Sequence, residues 1–488
     1  MKPSYAAIST IHRADLCVVG SGYGGRLIAI KAAESSASVV HVSPPGDHLN
    51  LSAPAISTRA FIEAANQFHT ATRISTIGSG RTPTEASSSY ALNIRALLRH
   101  VHKASTASPL SLSDERLRAL QVSIVTGEAH FENAKTLRVR DKHIVARRFV
   151  LAPENNWIPP AIPGLEDISY LTPDKLLVAS YPIERLIVIG TSAAAFALAQ
   201  AHRRLGAWVA LIPTPDFNAA SVEDEITRQI LMALEYDGVS LRLDTAITQI
   251  EARGNEAIVY TTTGEALAAS HVLIAPALHP IFPHLGWEQA KIVMEGQLPA
   301  LDDRLRTSNH RIHVIGGAIT DNIFSTALED EANQIINHAV LRKRPAKSPI
   351  IHIVPTTPEI ATVGLDEERA RQLYGKINIV RRSFAMTPLH LASRFKTGPI
   401  VGEIKVIVTR RNTIVGCTII GDGAADIAGL WTLAIARRLK VADLANLGFP
   451  DLSHHSITRE AVRVTVFGWP KLRGTLLRLS RWWRRIWN

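Results

Sequence analysis

Two strand–turn–helix–strand units constrain the fold of this chain more than any other feature of its sequence. The first, ADLCVVGSGYGGRLIAIKAAESSASVVHVSP, predicts a strand at residues 16–19, a helix to about Ser35 and a second strand at 39–42. The pattern G-x-G-x-x-G lies between the first strand and the helix, which is the context in which it indicates dinucleotide binding. The sequence therefore predicts a phosphate-binding turn in this unit.

Each glycine of this turn has a predicted role. Gly20 permits the tight turn, Gly22 lets the backbone approach a pyrophosphate at the helix N-terminus, and Gly25 lets helix and strand pack closely. The predicted cofactor-binding residues of the turn are Gly20, Ser21, Gly22, Tyr23, Gly24 and Gly25. A glycine-rich turn without a ligand stays an alternative, because the second strand ends at Ser43 with no acidic residue for ribose hydroxyls.

The second unit, ERLIVIGTSAAAFALAQAHRRLGAWVALIPT, repeats this architecture with an altered turn. Gly190 is kept, whereas Ser192 and Ala195 replace the other two glycines. A serine in the middle place adds a side chain where a pyrophosphate would lie. These three residues form a weak predicted site for NAD or NADP, and a retained fold with a degraded site is the alternative.

Later stretches extend the pattern in a recognisable order. They are LDDRLRTSNHRIHVIGGA (301–318), TTPEIATVGLDEERARQLYG (356–375) and NTIVGCTIIGDGAADIAGLWTLAIARRLKVADLANLGFPDLSHHSITREAV (412–462). With the two units, they make the chain resemble the pyridine nucleotide-disulphide oxidoreductases, the group of dihydrolipoamide dehydrogenase, glutathione reductase and mercuric reductase. The resemblance runs from about Arg13 to Phe467 and implies bound FAD, a second dinucleotide site and a homodimer.

The resemblance implies an α/β fold with two Rossmann-like dinucleotide-binding domains, the second inserted in the first. An α+β dimerisation domain and an amphipathic C-terminal helix follow. A chain of 488 residues is long enough for several separate cores. The expected bounds are 1–160 and 281–345 for the FAD domain, 161–280 for the second dinucleotide domain, 346–467 for the dimerisation domain and 468–488 for the basic tail.

The redox cysteines of the family do not carry over. Their C-x₄-C segment falls on DHLNLSAPAISTRAFIEAA (47–65), where one alignment places Asn50 and Ala55 at the cysteine positions and another places His48 and Ala53. Exchange between a dithiol and a disulphide needs an attacking thiolate. This loop is therefore predicted not to perform that reaction.

The chain has two cysteines, Cys17 and Cys417, and both lie in apolar, strand-like runs. Their number and separation indicate neither a disulphide framework nor a metal site. They are predicted to be inert core side chains in a reducing compartment.

Other functional positions of the family are altered as well. Arg59 falls where a lysine sits beside the flavin, and Phe449 replaces the histidine of the family's His-Pro base, with His454 at the position of the accompanying glutamate. Arg59 and His454 are therefore only weak catalytic candidates. Gly317 stands at the place of the aspartate that binds the flavin ribityl chain, and it joins Gly316 in the predicted cofactor-binding set.

The C-terminal stretch WPKLRGTLLRLSRWWRRIWN (469–488) has the pattern of an amphipathic helix. Its predicted apolar face comprises Leu472, Leu476, Leu479, Trp483, Ile486 and Trp487, and its basic face comprises Arg478, Arg481, Arg484 and Arg485. This composition is typical of a helix lying in a membrane interface, and the segment is too short and too charged to span. A tail packed on the dimer partner or bound to an acidic protein is the alternative.

The net charge of +11 agrees with an anionic partner. Nucleic acid is the weaker choice, because no nucleic-acid-binding fold accompanies the basic tail. The combined prediction is a cytoplasmic, peripheral membrane, FAD-dependent oxidoreductase that passes electrons directly from flavin to an acceptor. The alternative is a catalytically degenerate pseudoenzyme that acts as a dimeric, membrane-associated scaffold.

Overall fold

The computed structural model describes most of the chain. It covers residues 10–45, 54–79, 93–106, 112–176, 182–214, 225–276, 278–316, 324–343, 348–389 and 402–467. Three parts of the predicted sites, the loop 46–53, Gly317 and the tail 468–488, lie outside the described residues. The contacts divide the chain into two units, residues 1–219 with 237–347 and residues 220–236 with 348–488.

The described residues of the first unit up to residue 157 form seven strands and four helices. The strands are β1 (Thr10–Val19), β2 (Val39–Ser43), β3 (Ser123–Thr126), β4 (Ala129–Asn133), β5 (Thr136–Val139), β6 (Lys142–Leu151) and β7 (Glu154–Trp157). The helices are α1 (Tyr23–Glu34), α2 (Pro54–Ser79), α3 (Ile94–Thr106) and α4 (Asp114–Ala119).

The following segments, up to residue 343, contain eleven strands and five helices among the described residues. The strands are β8 (Arg185–Ile189), β9 (Trp208–Ile212), β10 (Ser240–Leu241), β11 (Ile247–Arg253), β12 (Glu256–Thr261), β13 (Ala266–Ala269), β14 (His271–Ile274), β15 (Leu278–Ile281), β16 (Met294–Glu295), β17 (Leu298–Pro299) and β18 (Ile312–Val314). The helices are α5 (Pro173–Leu176), α6 (Ala193–Arg204), α7 (Glu225–Tyr236), α8 (Trp287–Ala290) and α9 (Ala327–Ile335), with a 3₁₀ turn at Leu165–Asp167 and a π-helical turn at Ile336–Val340.

In the main sheet of the first unit, the carboxyl ends of three neighbouring parallel strands lie side by side along one line. Its parallel strands run in the order β3-β2-β1-β6, β18 pairs with β6, and the antiparallel strands β5 and β4 continue from the other part of β6. Leu151 is in register with both Val19 and Val314. The carboxyl ends of parallel strands are where such sheets bind ligands, so the turns after β1, β6 and β18 form one candidate site.

This sheet is buried on both faces. Leu16 and Ile28 are fully buried on the side of α1, whereas Cys17 and Phe149 are fully buried on the other. Burial of both faces is expected for a parallel sheet and explains why β1 and β6 end in the apolar runs at residues 16–19 and 149–151. Strand β1 begins at Thr10, earlier than the apolar run alone indicates.

A second parallel sheet has the order β10-β9-β8-β14. Ile189 at the end of β8 is in register with Ile212 and Ile274, so the second glycine-containing turn also follows a shared strand end. Strands β11, β12 and β13 form a separate antiparallel sheet. The prediction of two Rossmann-like, dinucleotide-binding folds is therefore confirmed.

The second unit contains a five-stranded antiparallel sheet in the order β19-β20-β23-β22-β21. Its strands are β19 (Ile351–Val354), β20 (Ile360–Gly364), β21 (Ile377–Ser383), β22 (Glu403–Thr409) and β23 (Ile414–Ile420). Among the described residues after 348, the helices are α10 (Glu367–Tyr374), α11 (Ala424–Ala436), α12 (Val441–Ala445) and α13 (Ser456–Phe467), and a 3₁₀ turn lies at Phe384–Met386. Trp431 of α11 and Cys417 of β23 are buried in its core. No helix within the described ranges is long and apolar enough to cross a bilayer.

Candidate functional site

Two glycines of the first turn are required by the backbone itself. Gly20 has a φ of +129°, and a β-carbon placed on it would lie 2.0 Å from the carbonyl oxygen of Ala152. A β-carbon on Gly25 would lie 2.0 Å from the carbonyl oxygen of Gly20. Because both obstacles are backbone atoms, any side chain at either position must displace strand β1, strand β6 or helix α1.

Gly22 is different, because its side-chain position is open. No atom of the described residues lies within 4 Å of a β-carbon built there. Gly22 is the N-cap of α1, no side chain caps this helix end, and its first turn has no acidic residue. The N-terminal amides and the positive end of the helix dipole therefore suit an anionic ligand. A diphosphate fits this arrangement.

A buried arginine fixes the turn from behind. Arg26 donates from Nε to the carbonyl oxygen of Ser21 at 3.1 Å and from Nη1 to the carbonyl oxygen of Leu112 at 3.1 Å. It also forms an ion pair with Asp114 Oδ1 at 2.5 Å, and only 9% of its side chain is exposed. Arg26 therefore ties the turn to the start of α4 and stabilises the turn through structural contacts.

His41 braces the same turn from β2. Its Nε2 lies 2.9 Å from the carbonyl oxygen of Gly20, and the residue is 1% exposed. A carbonyl oxygen only accepts, so Nε2 must carry the proton. Burial lowers the pKa of His41 to about 4. The imidazole is therefore neutral near pH 7 and holds the turn as a hydrogen-bond donor.

The turn after β18 completes this group. Gly316 has a φ of +82°, and its amide donates to Oε2 of the buried Glu331 at 2.6 Å. A β-carbon on Gly24 would lie 3.2 Å from Leu328 Cδ1, and one on Gly316 would lie 3.7 Å from the same atom. Helix α9 thus packs close to both turns, and the structure brings the predicted residues Gly24 and Gly316 together.

The second turn has the same strained backbone as the first, but a side chain fills the N-cap position that is open at Gly22. Gly190 has a φ of +137°, and a β-carbon there would lie 2.2 Å from the carbonyl oxygen of Ala275. Ser192 is the N-cap of α6: its Oγ accepts from the Ala195 amide at 3.1 Å and donates to the Ala275 carbonyl oxygen at 2.8 Å. The Ser192 side chain therefore fills the N-cap position and hydrogen-bonds to one of the free helix amides. A diphosphate does not fit here as it does at Gly22.

A cavity of about 300 Å³ lies beyond the ends of β8 and β9. Its lining includes Pro213, Thr214, Asp244 and Thr262. Strand β9 ends at Ile212 and is followed by Pro213 and Thr214, so the sequence offers no acidic residue directly after this strand. Asp244 was missed because it follows β10, and only the folded sheet places that segment beside the end of β9.

The weak catalytic candidates lie in different units. Arg59 is exposed on α2 in the first unit. His454 is exposed in the second, where its Cγ would lie 2.9 Å from a β-carbon on Gly423. Nearby, the rings of Phe449 and His455 stack with centroids 6.1 Å apart. Phe449 therefore fills its position by packing and offers no group that accepts a proton.

Both cysteines are free, buried strand residues, as predicted. Burial raises the pKa of the Cys17 thiol and of the Cys417 thiol. A buried thiol with a raised pKa is a poor nucleophile. Neither residue therefore replaces the missing redox pair. Among the described residues, no group of three or more histidine, cysteine or acidic side chains is arranged to hold a metal ion.

Comparisons with known proteins match this architecture over nearly the whole chain. The family model described as pyridine nucleotide-disulphide oxidoreductase matches residues 14–340. The model for the dimerisation domain of the same family matches residues 350–462.

Curated relatives include several mercuric reductases. The protein from Bacillus cereus is 27% identical over 339 residues, which is 68% of this chain and 53% of that protein, so the chain matches about half the length of this relative. The protein from Lysinibacillus sphaericus is 25% identical over 90% of this chain and 80% of its own. A dihydrolipoyl dehydrogenase from Thermus scotoductus is 26% identical over 88% of this chain and 92% of its own.

A solved structure shows the same fold. The Cu(II) complex of the HOCl-induced flavoprotein disulfide reductase RclA from Escherichia coli superposes with a TM-score of 0.75 at 18% identity, covering 92% of this chain and 98% of that one. The two family matches together span both units. The chain therefore belongs to the pyridine nucleotide-disulphide oxidoreductase family.

Proposed function

We propose that the chain is a FAD-dependent oxidoreductase that works without a catalytic disulphide. FAD is the cofactor that the family membership supports. The observation that carries the proposal is the uncapped N-terminus of α1 at Gly22, which has open space beside it and no acidic residue in its first turn. Within the part of the chain that the structure describes, no side chain competes with a diphosphate for these helix amides.

The described residues proposed to hold FAD lie around the line of strand ends. They are Gly20, Ser21, Gly22, Tyr23, Gly24, Gly25 and Gly316. Gly317, outside the described residues, belongs to the proposed set by its sequence position. Bound FAD supplies the redox chemistry, and the protein supplies position and electrostatic environment. Arg26 and His41 keep the turn in its shape without contacting the ligand, because their hydrogen-bonding groups are directed at protein carbonyl oxygens.

The relatives' reactions do not transfer directly. Mercuric reductase and dihydrolipoyl dehydrogenase resemble this chain in sequence, but the segment that carries the family's cysteine pair offers Asn50 and Ala55, or His48 and Ala53, in its place. We therefore propose that electrons pass from the flavin directly to an acceptor. A pyridine nucleotide donor would have to bind without the help of an open second turn, because Ser192 caps α6.

We further propose that the protein acts as a peripheral membrane homodimer on the cytoplasmic face. The match to the family's dimerisation domain supports a homodimer. The amphipathic pattern of residues 469–488 supports attachment to anionic lipid, where each Lys or Arg near the surface contributes roughly 1 kcal/mol. A membrane quinone is the acceptor class that such a location favours.

Two specific observations favour a second candidate, a pseudoenzyme that serves as a dimeric scaffold. Ser192 closes the second turn with two good hydrogen bonds, and Phe449 occupies the position of the family's base. Both residues pack well but lack the functional group of the family at their positions. This is expected of a protein that retains the fold of a family without its catalytic activity. In this case any bound flavin is structural.

Reduction of the bound flavin separates these two candidates. Purified full-length protein is expected to be yellow, with the visible absorption bands of an oxidised flavin. Addition of NADH, NADPH or a reduced quinone analogue without oxygen should bleach those bands in at least one case. Flavin that stays oxidised with all three donors would rule out the oxidoreductase proposal in favour of the scaffold. Colourless protein that takes up no FAD would refute the flavin site and leave only a scaffold without flavin.

The membrane proposal has its own test. Full-length protein should sediment with vesicles of anionic lipid, and a chain truncated after Phe467 should stay in the supernatant with its flavin content unchanged. Added salt should weaken the sedimentation, because surface charges are screened within about 10 Å at 0.1 M. Equal sedimentation of the two chains would remove residues 469–488 from the proposal and leave the flavin proposal untouched.

A further inference from the structure

A second concentration of charge lies on the main sheet of the first unit, away from the flavin turn. It consists of six arginines, which we name the arginine cluster: Arg147, Arg148, Arg304, Arg306, Arg311 and Arg342. Arg147 and Arg148 are on β6, and the carbonyl oxygen of Arg311 accepts from the Phe149 amide at 2.9 Å. Arg148 precedes Leu151 by three residues, so its backbone lies about 10 Å from the line of strand ends.

Two guanidinium groups of this cluster converge on one atom. Nη1 of Arg148 and Nη1 of Arg311 both donate to the carbonyl oxygen of Arg147, at 3.4 and 3.5 Å. Nε of Arg148 is buried and has no acceptor among the described residues. The guanidinium groups of Arg148 and Arg311 therefore share one carbonyl acceptor through long hydrogen bonds. Arg148 also has a buried N–H donor without a partner among the described residues.

The described residues provide little negative charge to balance the cluster. Arg306 pairs with Asp302, at 2.6 Å between Nη2 and Oδ2. No carboxylate of the described residues lies within ion-pair distance of Arg147, Arg148, Arg311 or Arg342. Asp15 is within electrostatic range of Arg147, but its carboxylate accepts from Ser38. Burial and the neighbouring arginines lower the pKa of Arg148, which is the signature of an uncompensated positive charge.

Two histidines lie beside the cluster. His338 Nδ1 is 3.2 Å from His313 Nε2, and Arg304 Nη1 is 3.4 Å from His338 Nε2. Because arginine only donates, His338 Nε2 accepts and its Nδ1 carries the proton. Burial, followed by the charges of His338 and the arginines, lowers the pKa of His313 to about 3, and burial with the arginines lowers the pKa of His338. Both imidazoles are therefore neutral near pH 7, and the positive charge at this place comes from the arginines alone.

We propose that the arginine cluster is a binding site for the phosphate group of a soluble ligand, separate from the flavin site. Guanidinium groups match phosphate oxygens in geometry and charge, and a phosphate would supply the acceptor that Arg148 Nε lacks. Arg148 is half-buried, so the site suits a compact oxyanion better than the flat surface of a membrane.

Calorimetric titration of the full-length, FAD-saturated protein with inorganic pyrophosphate tests this site, because FAD keeps the diphosphate-binding turn occupied. We expect saturable binding that Arg148→Gln weakens about tenfold or more, as expected for loss of a charged hydrogen-bonding partner. Arg253→Gln is the matched control, because Arg253 is an exposed arginine at the end of β11. It should bind pyrophosphate as the parent does. Thermal unfolding of each variant checks that it is folded.

The pKa of His338 gives an independent readout. A bound anion offsets the positive charges of Arg304, Arg306 and Arg148 and should raise the pKa of His338, measured by NMR and assigned with His338→Gln. Asp302 and His313 are the other titratable groups that face it. A merely structural cluster would leave this pKa unchanged by pyrophosphate.

Three results would overturn the proposal. They are the absence of saturable pyrophosphate binding, equal weakening by Arg148→Gln and Arg253→Gln, and an unchanged pKa of His338 at saturation. Vesicles of anionic lipid form the last arm of the experiment. Binding to them that depends on Arg148, without any binding of pyrophosphate, would assign the cluster to a lipid surface and refute a soluble ligand.

Discussion

Gly22→Ala should leave the protein folded and remove its flavin, whereas Gly25→Ala should prevent normal folding. The two substitutions add the same methyl group only three residues apart. At Gly22 that group meets no atom of the described residues within 4 Å, and at Gly25 it meets the carbonyl oxygen of Gly20 at 2.0 Å. One position is therefore reserved for a ligand and the other for the backbone of the protein itself.

The expected magnitudes differ accordingly. Gly25→Ala must separate α1 from the turn after β1, and overpacking of this kind against backbone costs about 3 kcal/mol or more. Gly22→Ala should change the free energy of unfolding of the flavin-free protein by less than about 1 kcal/mol. Its methyl group occupies the place where the helix end would approach a diphosphate, so flavin affinity should fall by a factor of about 100.

The measurements are flavin content after gel filtration, FAD affinity from quenching of flavin fluorescence, and urea denaturation of the flavin-free chains. Wild-type affinity in Gly22→Ala would show that the flavin does not use the end of α1. A flavin-free Gly22→Ala chain as unstable as Gly25→Ala would show that Gly22 acts through folding.

Acid should destabilise the fold strongly because several histidines are buried in the neutral form. Burial lowers the pKa of His41 and of His202 to about 4, and that of His313 to about 3. The unfolded chain binds these protons at an ordinary pKa of about 6.5. The stability that the neutral forms contribute is therefore fully present above about pH 6.5 and declines as the pH falls. It is lost by about pH 4 for His41 and His202 and by about pH 3 for His313.

The loss should be of the order of 3 kcal/mol for each of His41 and His202, since one pKa unit corresponds to about 1.4 kcal/mol. Urea denaturation across this pH range measures it. His202→Leu should reduce the pH dependence by about one proton. Phe131→Leu is the control, because Phe131 is fully buried against Phe149, with ring centroids 5.2 Å apart, and its loss should lower stability equally at every pH. The same pH slope in His202→Leu and wild type would contradict the assignment.

The turns could be predicted from the sequence because their requirements are local. A tight turn followed by a helix N-terminus needs glycine at fixed spacing, and Gly20, Gly22 and Gly25 satisfy this within six residues. The eroded second turn was equally visible from Ser192. The backbone strain at Gly20 and Gly190 and the cap made by Ser192 are the structural expression of those patterns.

The residues that brace and surround the site could not be predicted in this way. His41 is 21 residues from Gly20, and Arg26 is 88 residues from Asp114. These pairs meet only because parallel strands and their crossover helices bring distant segments together. A histidine or arginine in an apolar run has no local signal for its partner. The arginine cluster likewise exists only through the pairing of β6 with β18.

The Ser192 cap has a consequence for which electron donors the second turn can admit. A serine that holds both Ala195 and Ala275 stabilises the turn before any ligand is bound, and its replacement by glycine would cost only roughly a few tenths of a kcal/mol through the cap. A dinucleotide that used this helix end would have to displace the Ser192 hydroxyl from the Ala195 amide. A donor that reaches the flavin by another route meets no such competition from this residue.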